Sequence, residues 1–299
     1  MRFISFRGAS GAAVAGVLVD DLRVADLSHA ACAGLLQGTA PSLQTLVEQG
    51  LQSWADKLTG VVFDDAALRP LSTLKLLVPL RPGKIVGAAF NFTDALAERS
   101  MAHPPEPVIF VRSGCTVIGP GDAIEVPPDV GNVGYEAELA VVIGRRALFV
   151  GRDTALQYVA GYTAHNDVSG SSLIKLDGGN FVRCKNLPAS SPLGPWLMTA
   201  DELPDPQTVR IALDIDGRPL QNGSTATMLF DVAALISFIS HKMPLEPGDV
   251  IATGTPAGVA AMHKPEAWLL PGQTVTVQVQ GFGRLSNPVV VGPPFLPTL

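Results

Sequence analysis

The chain has 299 residues, 47% hydrophobic and 16% charged, with a formal net charge of −6. A mean hydropathy of +0.30 with so few charges excludes a disordered or fibrous chain, and no run of Lys or Arg suits a string of phosphates, so nucleic acid is not an expected partner. Arg7, Asp20, Asp21 and Arg23 interrupt the first apolar segment, so no signal peptide is expected, and nowhere do about 18 apolar residues run together to cross a membrane.

FISFRG and AAVAGVLVDDLRVADLS read as short strands joined by Gly- and Asp-containing turns. Leu43, Leu46, Val47, Leu51, Trp54 and Leu58 then recur at steps of three and four, which predicts one amphipathic helix. Residues 1–75 are expected to form a small α+β domain. The connector LRPLSTLKLLVPLRPGK, rich in proline, leads into a larger domain over 80–299. There KIVGAAF, PVIFVR, AIEVP, ELAVVIG, VRIALDI, DVIATGT and TVTVQVQ read as strands. TALQYVAGY and MLFDVAALISFISHKM read as helices, the second with Phe230, Ala233, Ala234 and Ser237 along one face. The fold class is therefore α+β and strand-rich. Cys32, Cys115 and Cys184 are odd in number and widely spaced, which fits reduced thiols in the cytoplasm rather than a disulfide framework or a zinc site.

In YEAELAVVIG, Glu136 and Glu138 stand two apart in a strand-like context, so they share a face. Carboxylates so close repel unless a cation neutralises them, and hard divalent ions take such oxygen ligands. The alternative is the solvated face of an edge strand, which the buried character of AVVIG argues against. Asp167 in TAHNDVSG ends a second strand and is either a further ligand or a turn residue. His165, two residues earlier, is a ligand, a base or a hydrogen-bonded core histidine. Thr253 and Thr255 lie in PGDVIATGTPAGV, a turn whose amides suit a carboxylate. The chain has no Walker loop, no GxGxxG after the first strand and no GxSxG elbow.

Taken in order, YEAELAVVIG, GYTAHNDVSG, PLGPWLMTADEL, LQNGSTATMLF, LEPGDVIATGTPAGV and LLPGQTVTVQVQGFGRLSNPV resemble the fumarylacetoacetate hydrolase family over about residues 80–292. The resemblance implies a mixed β-sandwich roll, commonly homodimeric, with the amino-terminal part similar to the small extra domain of longer bacterial members. It implies Mg²⁺ or Mn²⁺, with Ca²⁺ in some members, on Glu136, Glu138 and Asp167. It further implies that Lys185 contacts substrate and that Gln221, Thr255 and Arg112 help bind it. Two departures stand out. The family's lid motif NYxxHxxE reads NFTDALAE, so Ala95 replaces the water-activating His while Glu98 remains, and the Arg-Asp after NDxS is replaced by Ser171 and Ser172. Glu98, or His165 from the other side, is left to activate water. The activity implied is hydrolysis of a C–C bond in an acylpyruvate-like or β-diketone acid in catabolism of aromatic compounds or sugar acids. The alternatives are an isomerase, decarboxylase or hydratase of a 2-oxo acid working through an enolate on the metal, and a catalytically silent binder of a small molecule.

Overall fold

The computed structural model describes residues 1–36 and 42–296. Its architecture follows from the strand Ala137–Ile143, whose sequence AELAVVI is buried at every position. A strand covered on both faces lacks the polar alternation of a half-solvated one. Leu139, Val141 and Ile143 join a core with Ile211, Leu213, Val275 and Val277. Ala140 and Val142, on the opposite face by the two-residue period, join Leu46, Val47, Leu51 and Trp54 from the amino-terminal region.

This strand pairs antiparallel with Val159–Asn166 and with Val250–Ala252 near the middle of a twelve-stranded sheet. Beyond Val250–Ala252 come Lys84–Ala89, in parallel, and Val108–Ser113. Beyond Val159–Asn166 come Ser191–Thr199 and then the first strand, Arg2–Arg7. The amino-terminal residues therefore continue the large sheet, through Ala13–Leu18, Arg23–Asp26 and Leu68–Pro70. A five-stranded sheet, in the order Arg218–Ser224, Arg210–Ile215, Thr274–Val279, Arg284–Val291 and Ile124–Val126, packs on the other side of the larger core. Mixed pairing and few helices make this the expected strand-rich α+β sandwich roll.

Three local expectations change. The helix expected from Leu43 is split into Leu43–Glu48 and Leu51–Leu58 at Gly50, whose φ of 99° only glycine adopts without strain. The apolar positions read from its spacing are nonetheless all buried. TALQYVAGY forms one 3₁₀ turn, Ala155–Tyr158, and then enters the strand Val159–Asn166. Strand partners on both sides outweigh helix preferences of at most about 0.7 kcal/mol per ordinary residue. The helix Val232–Ser240, capped by Asp231, buries Val232, Leu235, Ile236 and Ile239, which leaves the expected face through Phe230, Ala233, Ala234 and Ser237 half-exposed. Among the described residues no helix is long and apolar enough to cross a membrane.

Candidate active site

Strand register assembles the acidic cluster. Glu138 lies opposite His165 and Ala137 opposite Asn166, so the residue after Asn166 comes level with Glu136. The Asp167 N–H donates to the Glu136 carbonyl at 2.9 Å, and Asn166 Oδ1 accepts the Glu136 N–H at 3.1 Å. Glu136, Glu138 and Asp167 each offer an oxygen, and these atoms all lie within 4.8 Å of one another. Asp167 and Glu138 are buried and Glu136 is half-buried.

Three acids in so small a volume need counter-charge. Lys185 Nζ lies 2.6 Å from Glu136 Oε2 and 2.7 Å from Asp167 Oδ2. On the other side, Arg112 donates to Asp167 Oδ1 and also holds Ser190 Oγ at 2.6 Å. Burial favours the neutral form of Asp167, but Lys185 and Arg112 outweigh it and hold the carboxyl below its usual range. Burial likewise opposes the Lys185 charge, and the Asp167 and Glu136 carboxylates overcome it, raising the ammonium pKa. Glu138 gains less relief. Burial, then Asp167 and Glu136, push its pKa well above the ordinary value, and its Oε2 has no hydrogen-bond partner among the described residues. An orphaned, buried carboxylate oxygen beside two more carboxylates is an all-oxygen donor set that fits Mg²⁺ or Mn²⁺.

The loop carrying Thr255 fixes the strand that carries Glu138. Thr255 Oγ1 donates to the Ala137 carbonyl at 2.9 Å, while Gln221 Oε1 accepts the Ala137 N–H at 2.9 Å. The Gln221 amide nitrogen closes the network on Thr255 Oγ1 at 2.8 Å and the Pro256 carbonyl at 3.0 Å. Gly254 permits this turn: its φ is 92°, and a Cβ there would stand 2.8 Å from the Ala88 carbonyl.

Beside the cluster lies a cavity of about 610 Å³. Glu136, Glu138, Asp167 and Lys185 form its polar end, and Phe90, Phe110, Phe181 and Trp268 contribute an aromatic wall. Phe110 also lies against the Lys185 ammonium, 4.8 Å from ring centre to Nζ. Helix Thr93–Glu98 and the residue after it supply Ala95, Leu96 and Arg99.

Of the residues singled out in the sequence, Glu136, Glu138, Asp167, Lys185 and Thr255 meet at this cavity. Of the others given a catalytic or substrate-binding role, four are not in its wall. Arg112 is fully buried and serves Asp167, and the Gln221 amide is committed to the network above. Glu98 is exposed, with Oε2 accepting the Gly258 N–H at 3.0 Å. His165 is fully buried and bonds Ser191 Oγ through Nε2 at 2.8 Å, and burial holds its pKa down at about 3, so the ring is neutral. Ser171 lines the cavity, whereas Ser172 Oγ accepts the Asn132 N–H. Sequence reading passed over Tyr135, buried in the wall with an unpartnered hydroxyl, and Arg99, which forms no ion pair among the described residues. Their signal was adjacency, to Glu136 and Glu98 respectively.

Residues 84–290 match the family model described as fumarylacetoacetate (FAA) hydrolase C-terminal. The chain belongs to the fumarylacetoacetate hydrolase family. As a member of that family it is an enzyme. A Burkholderia ambifaria (strain MC40-6) protein named only as a hydrolase is 41% identical over 248 residues, 78% of this chain and 88% of the relative. The fumarylacetoacetate hydrolase of psychrophilic Exiguobacterium antarcticum shares the fold with a TM-score of 0.82 and 31% identity, over 97% of this chain and 99% of that one. A 5-carboxymethyl-2-hydroxymuconate delta-isomerase from Mycobacterium smegmatis aligns with a TM-score of 0.76 and 30% identity over 97% and 99% of the two chains. Maleylpyruvate hydrolase from Sphingobium sp. SYK-6, solved with manganese(II) and pyruvate, aligns with a TM-score of 0.76 and 26% identity over 98% and 100%.

Proposed function

We propose that this enzyme uses Glu136, Glu138 and Asp167 to hold Mg²⁺ or Mn²⁺, and hydrolyses a C–C bond of an acylpyruvate-like or β-diketone acid. The observation that carries this reading is the cluster of three carboxylates, with Lys185 across it, at the polar end of a largely apolar cavity. A divalent cation bound there would polarise the carbonyl of a chelating oxo acid. Lys185, kept charged by its two carboxylates, pairs with negative charge developing on the substrate oxygen. Thr255 and Gln221 hold Ala137, and so Glu138, in register. The aromatic wall keeps bulk water from the reacting carbons. Glu98, the lid carboxylate left to activate the attacking water, lies outside the cavity wall and would turn to it from its bond to the Gly258 N–H, which ties the lid helix to the Thr255 loop. The same reading makes the protein a cytoplasmic homodimer working in catabolism.

A second reading, an isomerase, decarboxylase or hydratase of a 2-oxo acid, is favoured by one observation. Ala95 stands in the wall where the family resemblance leads one to expect a His, and no histidine is among the described lining residues. Turnover of acylpyruvates, 2-oxo acids and enol tautomers with Mg²⁺ and Mn²⁺, with products identified, separates the readings. Calorimetric Mn²⁺ titration of the parent and Glu138→Ala tests what they share. A folded Glu138→Ala protein that binds Mn²⁺ as tightly as the parent removes the cluster as the metal site.

A further inference from the structure

Two buried polar atoms face one another without partners. His165 Nδ1 and Glu138 Oε2 lie 3.6 Å apart, and neither has a hydrogen bond among the described residues. Buried polar atoms in folded proteins are nearly always paired. Here the pairing is a few tenths of an ångström from closing. The register sets the two residues directly opposite on neighbouring strands, so the approach is built into the sheet. On the far side of the ring, Nε2 is bonded to Ser191 Oγ, at the start of the next strand, Ser191–Thr199.

Nδ1 faces a carboxylate oxygen, which can only accept, whereas Nε2 faces a hydroxyl, which can donate or accept. The charged groups around the ring are Glu138, Asp167, Arg112 and Lys185. Among the described residues the Ser191 hydroxyl has no other partner, so it is free to donate to Nε2. The acceptor at Glu138 assigns the ring proton to Nδ1, and Nε2 then accepts from Ser191 Oγ.

We propose that His165 is a positioning residue: its Nδ1–H, set in that tautomer by Ser191, takes Glu138 Oε2 and leaves the other Glu138 oxygen for the cation. This rests on the metal reading above and replaces a role for His165 as the water-activating base, since the ring lies outside the cavity wall. Partners that orient ligating side chains are worth about 10–100-fold in metal affinity.

The test is Mn²⁺ titration calorimetry at neutral pH on the parent, His165→Leu, His165→Asn and Ser191→Ala, with thermal melts in chelator to establish folding. The Asn amide places an N–H near the position of Nδ1–H, whereas Leu offers none. His165→Leu should lose about 10–100-fold in Mn²⁺ affinity, and His165→Asn should recover most of that loss. Ser191→Ala should fall between them, because the tautomer is no longer set. Equal affinity in His165→Leu and the parent, or His165→Asn no better than His165→Leu, overturns the assignment. Should His165→Leu not fold, Ser191→Ala with the parent's affinity overturns it instead. A parent that binds no Mn²⁺ refutes the metal reading itself, and this inference falls with it.

Discussion

Replacing Lys185 by Met removes a cation that touches two of the three carboxylates. Among the described residues Glu136 would then have no positive partner, and Asp167 would keep Arg112 alone. Breaking a buried ion pair by removing one member costs about 3–5 kcal/mol. Glu136 is half-buried, so solvent screens part of its charge and the lower figure applies. At roughly 2–4 °C per kcal/mol for somewhat smaller domains, the melting temperature should fall on the order of 6 °C in chelator. Saturating Mn²⁺ returns positive charge to the same oxygens and should narrow the gap between variant and parent by more than half. Scanning fluorimetry on both proteins, each with EDTA and with Mn²⁺, reads all four values. A gap of the same size in both conditions, or within about 1 °C of zero in EDTA, refutes the view that Lys185 is the counter-charge of the cluster.

Gln221→Leu strands the Ala137 N–H and frees the Thr255 loop; at about 1–3 kcal/mol per buried group left unpaired, the urea midpoint should fall with an unchanged slope, and an unshifted midpoint counts against the network. Ala95→His puts a base in the cavity wall and should raise acylpyruvate hydrolysis, by up to about 10²-fold if Glu98 can turn to it, and no gain in steady-state rate places water activation elsewhere. The pH dependence of stability should change in His165→Asn. The folded pKa of about 3 lies below the ordinary 6.5, so between these values the unfolded chain binds a proton that the folded one does not. This contribution is therefore full above pH 6.5 and is lost as pH falls, at up to about 1.4 kcal/mol per unit. Urea unfolding in chelator from pH 7 to 4.5 should show a steeper loss in the parent, with Glu138, Asp167, Arg112 and Lys185 common to both proteins; equal slopes contradict the buried neutral ring.

The paired glutamates were legible because a strand repeats every two residues, and the run AVVIG already indicated that the strand was buried. Asp167 was less so: its position beside Glu136 depends on the register of Ala137–Ile143 against Val159–Asn166, which no local pattern encodes. Lys185 came only through the resemblance, since it reaches the site from a loop, whereas the turn that carries Thr255 was readable from its Gly and Pro. The same limit explains TALQYVAGY. Its apolar positions suit a helix, and its partners on both sides, residues far along the chain, decide for a strand. Gly50 was visible, but whether a glycine interrupts a helix depends on φ, which composition does not fix. The joining of the first strand to Ser191–Thr199 was beyond reach for the same reason as Asp167.

That last pairing bears on how the protein is made. Arg2 and Phe3 end beside Met198 and Leu197, so this strand leaves the ribosome well before the neighbour it pairs with. At about 5–20 residues per second, the delay is on the order of ten seconds or more. Meanwhile Phe3, Leu46 and Trp54, which finish in one cluster with Leu193 and Leu197, lack that cover. The nascent amino-terminal hairpin therefore presents apolar surface to the cell until the sheet closes over it, and this interval is when the chain is most open to chaperones and to aggregation.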